Sequence, residues 1–400
     1  MTLPLIDGID AKLDALRQQL RVVSTEVIPI EQAVGRVLAN PVKAFRDSPA
    51  LDVSAMDGYA MRMQDADLES LPVSGTACAG SPPLTCPPGQ SIRIFTGAAI
   101  PHGAELVIPR EQCQEEPDRV QVTTPTTALK LGQNIRRQGE NARRGDVILP
   151  AGGVIHGPAI SSLVSFCEHD QIEVRRSVRI AILNTGDELT EPGVAIPDWQ
   201  IRDSNGPLLA AMLSQHPWAN FKRTKVPDDP ERVRTILGEA LSNSDAVVLT
   251  GGVSMGDTDH VPKAIVDCGG RIVFHRIPIR PGKPLLGAVG PKGQLVMGLP
   301  GNPVSVAVTF RRYALELLRH VAGVRPSVHA AHTVPVSCHD KKTLDLLWFR
   351  IVKLDANGTA VILPNQGSGD IASLGNSDGF VEIPPGVEAS GRFPFYAWAN

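Results

Sequence analysis

The chain has 400 residues, 42% hydrophobic and 20% charged, with 39 Lys and Arg against 42 Asp and Glu for a formal charge of −3. That length gives room for about two to four domains and excludes a lone small binding module. The near-balance of charge excludes indiscriminate nucleic-acid binding through a basic surface. The N-terminal stretch carries Asp7, Asp10 and Asp14 without an apolar block of signal-peptide size. No apolar run approaches the roughly 18 residues needed to cross a bilayer. The expectation is a soluble, untargeted cytoplasmic protein with no nucleic-acid or membrane partner.

The six cysteines, at 78, 86, 113, 167, 268 and 338, form no C-x-x-C pair. Neither a disulfide framework nor a cysteine-rich zinc site is supported, and structural burial is expected for each. The ten histidines are dispersed as well. The 37 glycines and 34 prolines recur inside short motifs with apolar runs between them, which indicates short strands and shaped loops rather than disorder.

Residues 5–44 open with helical spacing (Ile9, Leu13, Leu16, Leu20), then a short extended piece, then a helix predicted to carry Ala33, Val34, Val37 and Leu38. From Phe45 to about Asp146 short runs such as QSIRIFTG and AELVIPRE alternate with Pro/Gly punctuation, the pattern of a small all-β region. An apolar helix is predicted around Pro158 to Phe166. The expected organisation is an elongated helical arm and dimerisation domain (1–44 and 147–176) interrupted by an inserted small β domain (45–146).

At Ser177 the rhythm changes. SVRIAILNTG reads as a buried strand, NGPLLAAMLSQH as a helix, FKRTKV as a strand, DPERVRTILGEALSN as a helix and DAVVLTGG as another buried strand. This alternation predicts a parallel, doubly wound α/β domain over 177–325, completed by RIVFH, PLLGAV, QLVMGL and the long helix NPVSVAVTFRRYALELLRHVAG. WFRIVKL and TAVILP predict a C-terminal β domain over 326–400.

Ligands of doubly wound sheets bind at the carboxyl ends of the strands. Three loops there stand out. NTGDELTEPG offers backbone N–H groups around Gly186 with Asp187 and Glu188 beside them; TGGVSMGDTDH offers Gly251, Gly252, Ser254, Asp257 and Asp259; GLPGNPVS turns through Pro300, Gly301, Asn302 and Pro303. Any one has a structural reading, as a turn or a cap. Together they suit a phosphate ester held by N–H groups and Mg²⁺ held by oxygen ligands. HRIPIRPGKP adds Arg276, Arg280 and Lys283 on another glycine turn.

TGDEL, TGGVSMGDTD, RPGKP and LPGNPVS, with SAMDGYA (54–60), RIFTGAAIP (93–101) and NIRRQGENARRGD (134–146), resemble the molybdopterin molybdenumtransferase family, the MoeA and gephyrin E-domain family. The seven motifs run in family order, and the resemblance covers essentially the whole chain. It implies insertion of molybdate into adenylylated molybdopterin with release of AMP, a divalent cation (Mg²⁺), a homodimer, and a molybdopterin adenylyltransferase as a candidate partner. Position by position, it implies Asp57, Thr96, Glu188, Asp228 and Asp259 as catalytic groups, with Glu188 and Asp259 toward the metal. Gly251, Gly252, Ser254, Arg276, Arg280, Lys283, Pro300, Gly301, Asn302, Pro303, Arg350 and Ser368 are implied as substrate-binding. Two alternatives stay open, a non-catalytic gephyrin-like scaffold and adenylyl transfer by the α/β domain alone. One departure stands out: after RRQGE the family commonly has Asp, where this chain has Asn141.

Overall fold

The computed structural model describes residues 8–253, 259–326, 332–337, 341–364 and 367–399. The chain divides into two compact units, one of Met1–Asn40, Ala151–Ile160 and Gln171–Asn400, the other of Pro41–Pro150 and Ser161–Asp170.

In the first unit, a six-stranded sheet runs in the order Ala219–Val226, Val178–Thr185, Ala246–Thr250, Leu295–Leu299, Leu286–Val289, Arg271–His275. The first four strands are parallel. The last two are antiparallel to their neighbours, a departure from the all-parallel expectation. For Leu286–Val289 and Leu295–Leu299 the cause is the short turn through Gly290 and Gly293, closed by the Gly290 N–H on the Gln294 carbonyl, because a connection that short makes only a hairpin. Side chains alternate across the sheet: Ile180, Ile182 and Val248 pack with Leu209 and Leu213 of helix Asn205–Ser214. Ala181, Leu183 and Val247 pack with Val233, Leu237 and Leu241 of helix Pro230–Asn243 on the other face. Burial on both faces is why these strands read as unbroken apolar runs.

Helix Ile9–Arg17 also belongs to this core, through Leu13 and the fully buried Leu16. Gly287 makes room for it, since a Cβ there would lie 2.9 Å from the Leu16 Cδ2. The helix predicted to carry Ala33 to Leu38 does not form. A 3₁₀ turn at Ile30–Gln32 ends before Gly35, whose φ of 79° leaves the helical region, and Val37–Leu38 pairs instead with Val174 and Arg175. Local helical spacing lost here to strand pairing.

The C-terminal strands form a second sheet in the order Ile279–Arg280, Leu347–Leu354, Ala360–Ile362, Thr333–Ser337, Gly391–Ala397, Gly379–Ile383. A further pairing of Leu347–Leu354 with Gly379–Ile383 closes five of these strands into a barrel. The sixth, Ile279–Arg280, comes from the α/β region and lies parallel to Leu347 and Trp348 at the barrel edge. Arg312, on the π-helical turn Phe310–Ala314, anchors the barrel to the long helix by a 2.6 Å ion pair with Glu382, which also accepts the Tyr396 hydroxyl at 3.0 Å.

The second unit holds a six-stranded sheet in the order Leu106–Pro109, Gly58–Met61, Ser91–Ile94, Leu71–Ala77, Arg119–Val122, Cys113–Glu115. Its apolar interior includes Tyr59, Met61, Leu71, Leu106 and Ile108. Among the described cysteines only Cys86 is buried as expected; Cys113, Cys167 and Cys268 are half-buried, and Cys78 is exposed just after strand Leu71–Ala77, while Cys338 lies outside the described residues.

Candidate functional site

The parallel strands of the α/β sheet are tied to one another at their carboxyl ends by polar side chains. Buried Asn184 donates from Nδ2 to the Thr250 hydroxyl at 2.7 Å, and the Thr185 hydroxyl donates to the Thr250 carbonyl at 3.2 Å. Gly251 follows with φ 80°, and a Cβ there would stand 2.7 Å from the Thr185 Oγ1, so conformation and space both require glycine. Gly252 is also left-handed, at φ 62°. The Val253 carbonyl is engaged by the His275 imidazole at 2.7 Å. Ser254 and Asp257 lie outside the described residues; Asp259 is half-buried.

Asp187, Glu188 and Asp228 follow the first two strands, while Asp259 lies in the loop after the third, Ala246–Thr250. The Asp187 N–H donates to Asp228 Oδ2 at 3.4 Å, and the Asp228 N–H donates to Asp187 Oδ1 at 3.2 Å, a reciprocal clasp between two loops. The Glu188 carboxylate lies over Gly186, where a Cβ would be 2.6 Å from Oε2. These are hard oxygen donors. Among the described residues, no three His, Cys, Asp or Glu side chains converge as a ready-made metal cage. The donor chemistry fits magnesium, which is commonly held by one or two carboxylates with substrate phosphates and water completing its shell.

The PGNP turn lies against the glycines of the neighbouring loop: a Cβ on Gly301 would be 3.8 Å from the Gly251 Cα. Asn302 donates from Nδ2 to the Ser368 hydroxyl at 2.8 Å, and the Val304 N–H donates to the Ser368 carbonyl at 3.0 Å. Beside this turn is a cavity of about 850 Å³, lined among others by Arg280, Lys283, Lys342, Arg350, Asn302 and Ser368. Pro300 also lines it, and no carboxylate does among the described residues. The Arg350 guanidinium stands 4.2 Å over the Trp348 ring, a stacking arrangement that holds the planar fork in place. Gly282, at φ 109°, brings the RPGKP turn against the long helix, where a Cβ would be 2.4 Å from the Thr309 Cγ2.

The cavity thus collects six sequence-predicted residues: Arg280, Lys283, Pro300, Asn302, Arg350 and Ser368. Gly301 and Pro303 sit in the adjoining turn without lining it, and exposed Arg276 lies outside the lining. Lys342 and Trp348 were not anticipated, because nothing in the linear sequence places the barrel strand beside Arg280. Also missed was RDSNG. Asp203 accepts the Gly206 N–H at 2.9 Å and Arg223 Nη2 at 3.4 Å, and Asn205 donates to the Gly301 carbonyl at 2.6 Å. The signal was present: Asp-Ser-Asn before an apolar helical run marks a helix start.

In the second unit, Asp57 and Thr96 meet. Asp57 Oδ1 accepts both the Thr96 N–H and the Thr96 hydroxyl at 2.7 Å. The hydroxyl bond first, then the backbone bond, with Arg110 and Arg93 nearby, holds the Asp57 carboxyl below its ordinary pKa despite its exposure. Arg110 itself grips Glu115 through Nε and Nη2 at 2.6 and 2.7 Å, pushing Glu115 down to about 2 with help from the Tyr59 hydroxyl. Asn141 accepts Arg136 Nη2 at 2.6 Å and donates to the Ser48 hydroxyl at 3.4 Å.

An α/β sheet with glycine loops and acids at its carboxyl ends, beside a basic cavity at the edge of a β-barrel, defines a class of enzyme that handles phosphorylated or oxyanionic substrates. Comparison with known proteins narrows the class. Residues 8–167 match the MoeA N-terminal region (domain I and II), residues 181–320 the model described as "Probable molybdopterin binding domain", and residues 337–392 the MoeA C-terminal region (domain IV). A molybdopterin molybdenumtransferase of Synechococcus elongatus is 34% identical over 379 residues, 92% of each chain. One from a Nostoc species is 36% identical over 327 residues, covering 79% of this chain and 74% of that protein. The crystal structure of the molybdopterin biosynthesis MoeA protein of Pyrococcus horikoshii superposes with a TM-score of 0.81 at 26% identity, covering 97% of both chains. The chain belongs to the molybdopterin molybdenumtransferase family, transferases of molybdenum cofactor biosynthesis. Among the described residues no helix is long and apolar enough to cross a membrane.

Proposed function

We propose that the chain inserts molybdate into adenylylated molybdopterin, releasing AMP, and that the barrel-edge cavity receives the oxyanion. The observation that carries this reading is the cavity's charge: Arg280, Lys283, Lys342 and Arg350 line it, and among the described residues no carboxylate does. Four cationic side chains on one wall attract an oxyanion. Molybdate calls for hydrogen-bond donors rather than thiolates, and the pterin's own dithiolene supplies sulfur.

The chain's own groups divide the work. Gly251 and Gly252 let the substrate phosphates approach the backbone, and the PGNP turn presents its N–H groups on the other side. Glu188 and Asp259, with Asp228 clasped to Asp187, face the pyrophosphate link. These two acids would hold magnesium, which when bound neutralises phosphate charge. Asp57, kept ionised by Thr96, accepts a proton or a hydrogen bond from the reacting partner. Homodimer assembly belongs to the proposal: a two-fold pair in which the β region of one chain completes the α/β loops of its partner makes two equivalent sites. Neither alternative accounts for this set. A scaffold has no physical need of a cation-lined cavity, and adenylyl transfer by the α/β domain alone leaves the barrel residues without a task.

The test is AMP release from adenylylated molybdopterin with and without molybdate, at controlled magnesium. Release that depends on both supports the reading. Release indifferent to molybdate refutes it.

A further inference from the structure

We infer that Asn205 is a positioning residue: by holding the Gly301 carbonyl it turns the Asn302 N–H toward the bound oxyanion. The inference rests on the reading of the cavity given above and deepens it.

The PGNP turn is poor in donors. Pro300 and Pro303 have no N–H, so Gly301 and Asn302 supply the only backbone donors within it. Which way a peptide N–H points is set by its carbonyl, because in a trans peptide the two are opposed. The Gly301–Asn302 bond is trans, and its carbonyl accepts Asn205 Nδ2 at 2.6 Å. A carbonyl can only accept, so the amide nitrogen of Asn205 must face it. Drawing that carbonyl toward Asn205 sends the Asn302 N–H to the opposite side of the turn. Asn302 lines the basic cavity, and its N–H has no backbone acceptor among the described residues.

Asn205 is well placed for this. It is the first residue of helix Asn205–Ser214 and is buried, and the next residue, Gly206, is packed against the side chains of Asp203, Asn184 and Arg223. A Cβ on Gly206 would lie 2.5 Å from Asp203 Oδ2 and 2.7 Å from Asn184 Oδ1, and its N–H is held by Asp203. The anchor is therefore rigid. Stability alone does not account for the asparagine: its Oδ1 is buried without a hydrogen-bond partner among the described residues, an arrangement that costs free energy. What the side chain gains is one directed bond to one carbonyl.

The test compares the full-length wild type with Asn205→Ala and Asn205→Asp, neither of which can donate to the carbonyl. The KM for molybdate, and the molybdate dissociation constant by equilibrium dialysis, should rise about tenfold, the effect of losing one directed hydrogen bond to an anion. The kcat at saturating molybdate should stay within about twofold. A merely structural role would lower kcat and melting temperature together and leave KM unchanged, which would overturn the inference. Crystal structures of the variants should show the Gly301–Asn302 peptide rotated or in two orientations; a wild-type orientation in Asn205→Ala would also overturn it. Should the variants not fold, the wild type decides by itself: on titration with molybdate the Asn302 amide resonance should shift, and binding without that shift overturns the inference. Failure of the wild type to bind molybdate would instead bring down the reading of the cavity, while the peptide orientation in the variants would still judge Asn205.

Discussion

Two regions of the first unit carry opposite charge and are built in opposite ways. In the loops after Val178–Thr185 and Ala219–Val226, carboxylates are held by backbone: Asp187 and Asp228 exchange N–H bonds, and Glu188 lies over a glycine. In the barrel-edge cavity, cations are brought together from separate parts of the chain, Arg280 and Lys283 from the RPGKP turn, Lys342 and Arg350 from the barrel. Among the described residues, none of these acids lines the cavity. Under the proposed function that separation suits a substrate with both needs, phosphates that attract a hard cation and an oxyanion that attracts donors.

The comparison breaks most severely if the acids are dispensable. Glu188→Gln and Asp259→Asn should each slow AMP release by about a hundredfold or more while the thermal midpoint stays near that of the wild type. Full turnover in both variants would show that the acidic loops only shape the turns. On the basic side, Arg280→Ala removes a charge-assisted donor and should weaken apparent molybdate affinity about tenfold. Unchanged affinity at low salt would reduce Arg280 to a surface charge.

The proposed pairing of chains is tested by mixing Asp57→Ala with Glu188→Ala protein. Each is expected to be inactive alone. After subunit exchange, random pairing leaves about a quarter of all sites free of both lesions, so activity should return to about that fraction of wild type. Verified exchange of folded dimers without recovery would dismiss the shared site. A smaller effect concerns the second unit alone. Thr96→Val deletes the hydroxyl bond that most lowers the Asp57 pKa, so that pKa should rise toward its ordinary value. If Asp57 works ionised, the acid limb of the pH–rate profile moves to higher pH. A profile that stays in place would separate Asp57 from the chemistry.

Legibility in the sequence followed the range of the interactions. Val178–Thr185 and Ala246–Thr250 were readable because burial on both faces leaves an unbroken apolar run, and the glycines after them because φ and contact both demand glycine. Val37–Leu38 was misread as helix because its partners, Val174 and Arg175, are far away in sequence. The cavity was half legible for the same reason. RPGKP and PGNP are local motifs, but Trp348 and Lys342 reach the site only through the parallel pairing of Ile279–Arg280 with Leu347 and Trp348. Asn205 is illegible locally because its partner, the Gly301 carbonyl, lies in a loop far away in sequence.

The smallest effect is expected at Asn141, where the family resemblance implies a carboxylate. The side chain sits in an exposed turn, its Oδ1 taking the Arg136 guanidinium at 2.6 Å and its Nδ2 giving a 3.4 Å bond to Ser48. Asn141→Asp keeps the acceptor facing Arg136 and exchanges a long bond for a charge. Arg136 already has Glu140 at 3.2 Å, so the added pair is solvent-exposed and worth about 0–1 kcal/mol. The neighbouring acids are already held by their own partners: Asp52 accepts Arg137 at 2.6 Å and the Gln138 N–H at 2.8 Å, which lowers its pKa, the backbone bond foremost. With the turn secured in this way, Asn141→Asp should change kcat and the molybdate KM by less than about twofold, a change no larger than such a surface pair supplies. A gain of tenfold or more would mean that the amide marks a weakened enzyme. The charge at 141 would then belong with the acidic loops in the comparison, not with the turn that presents it.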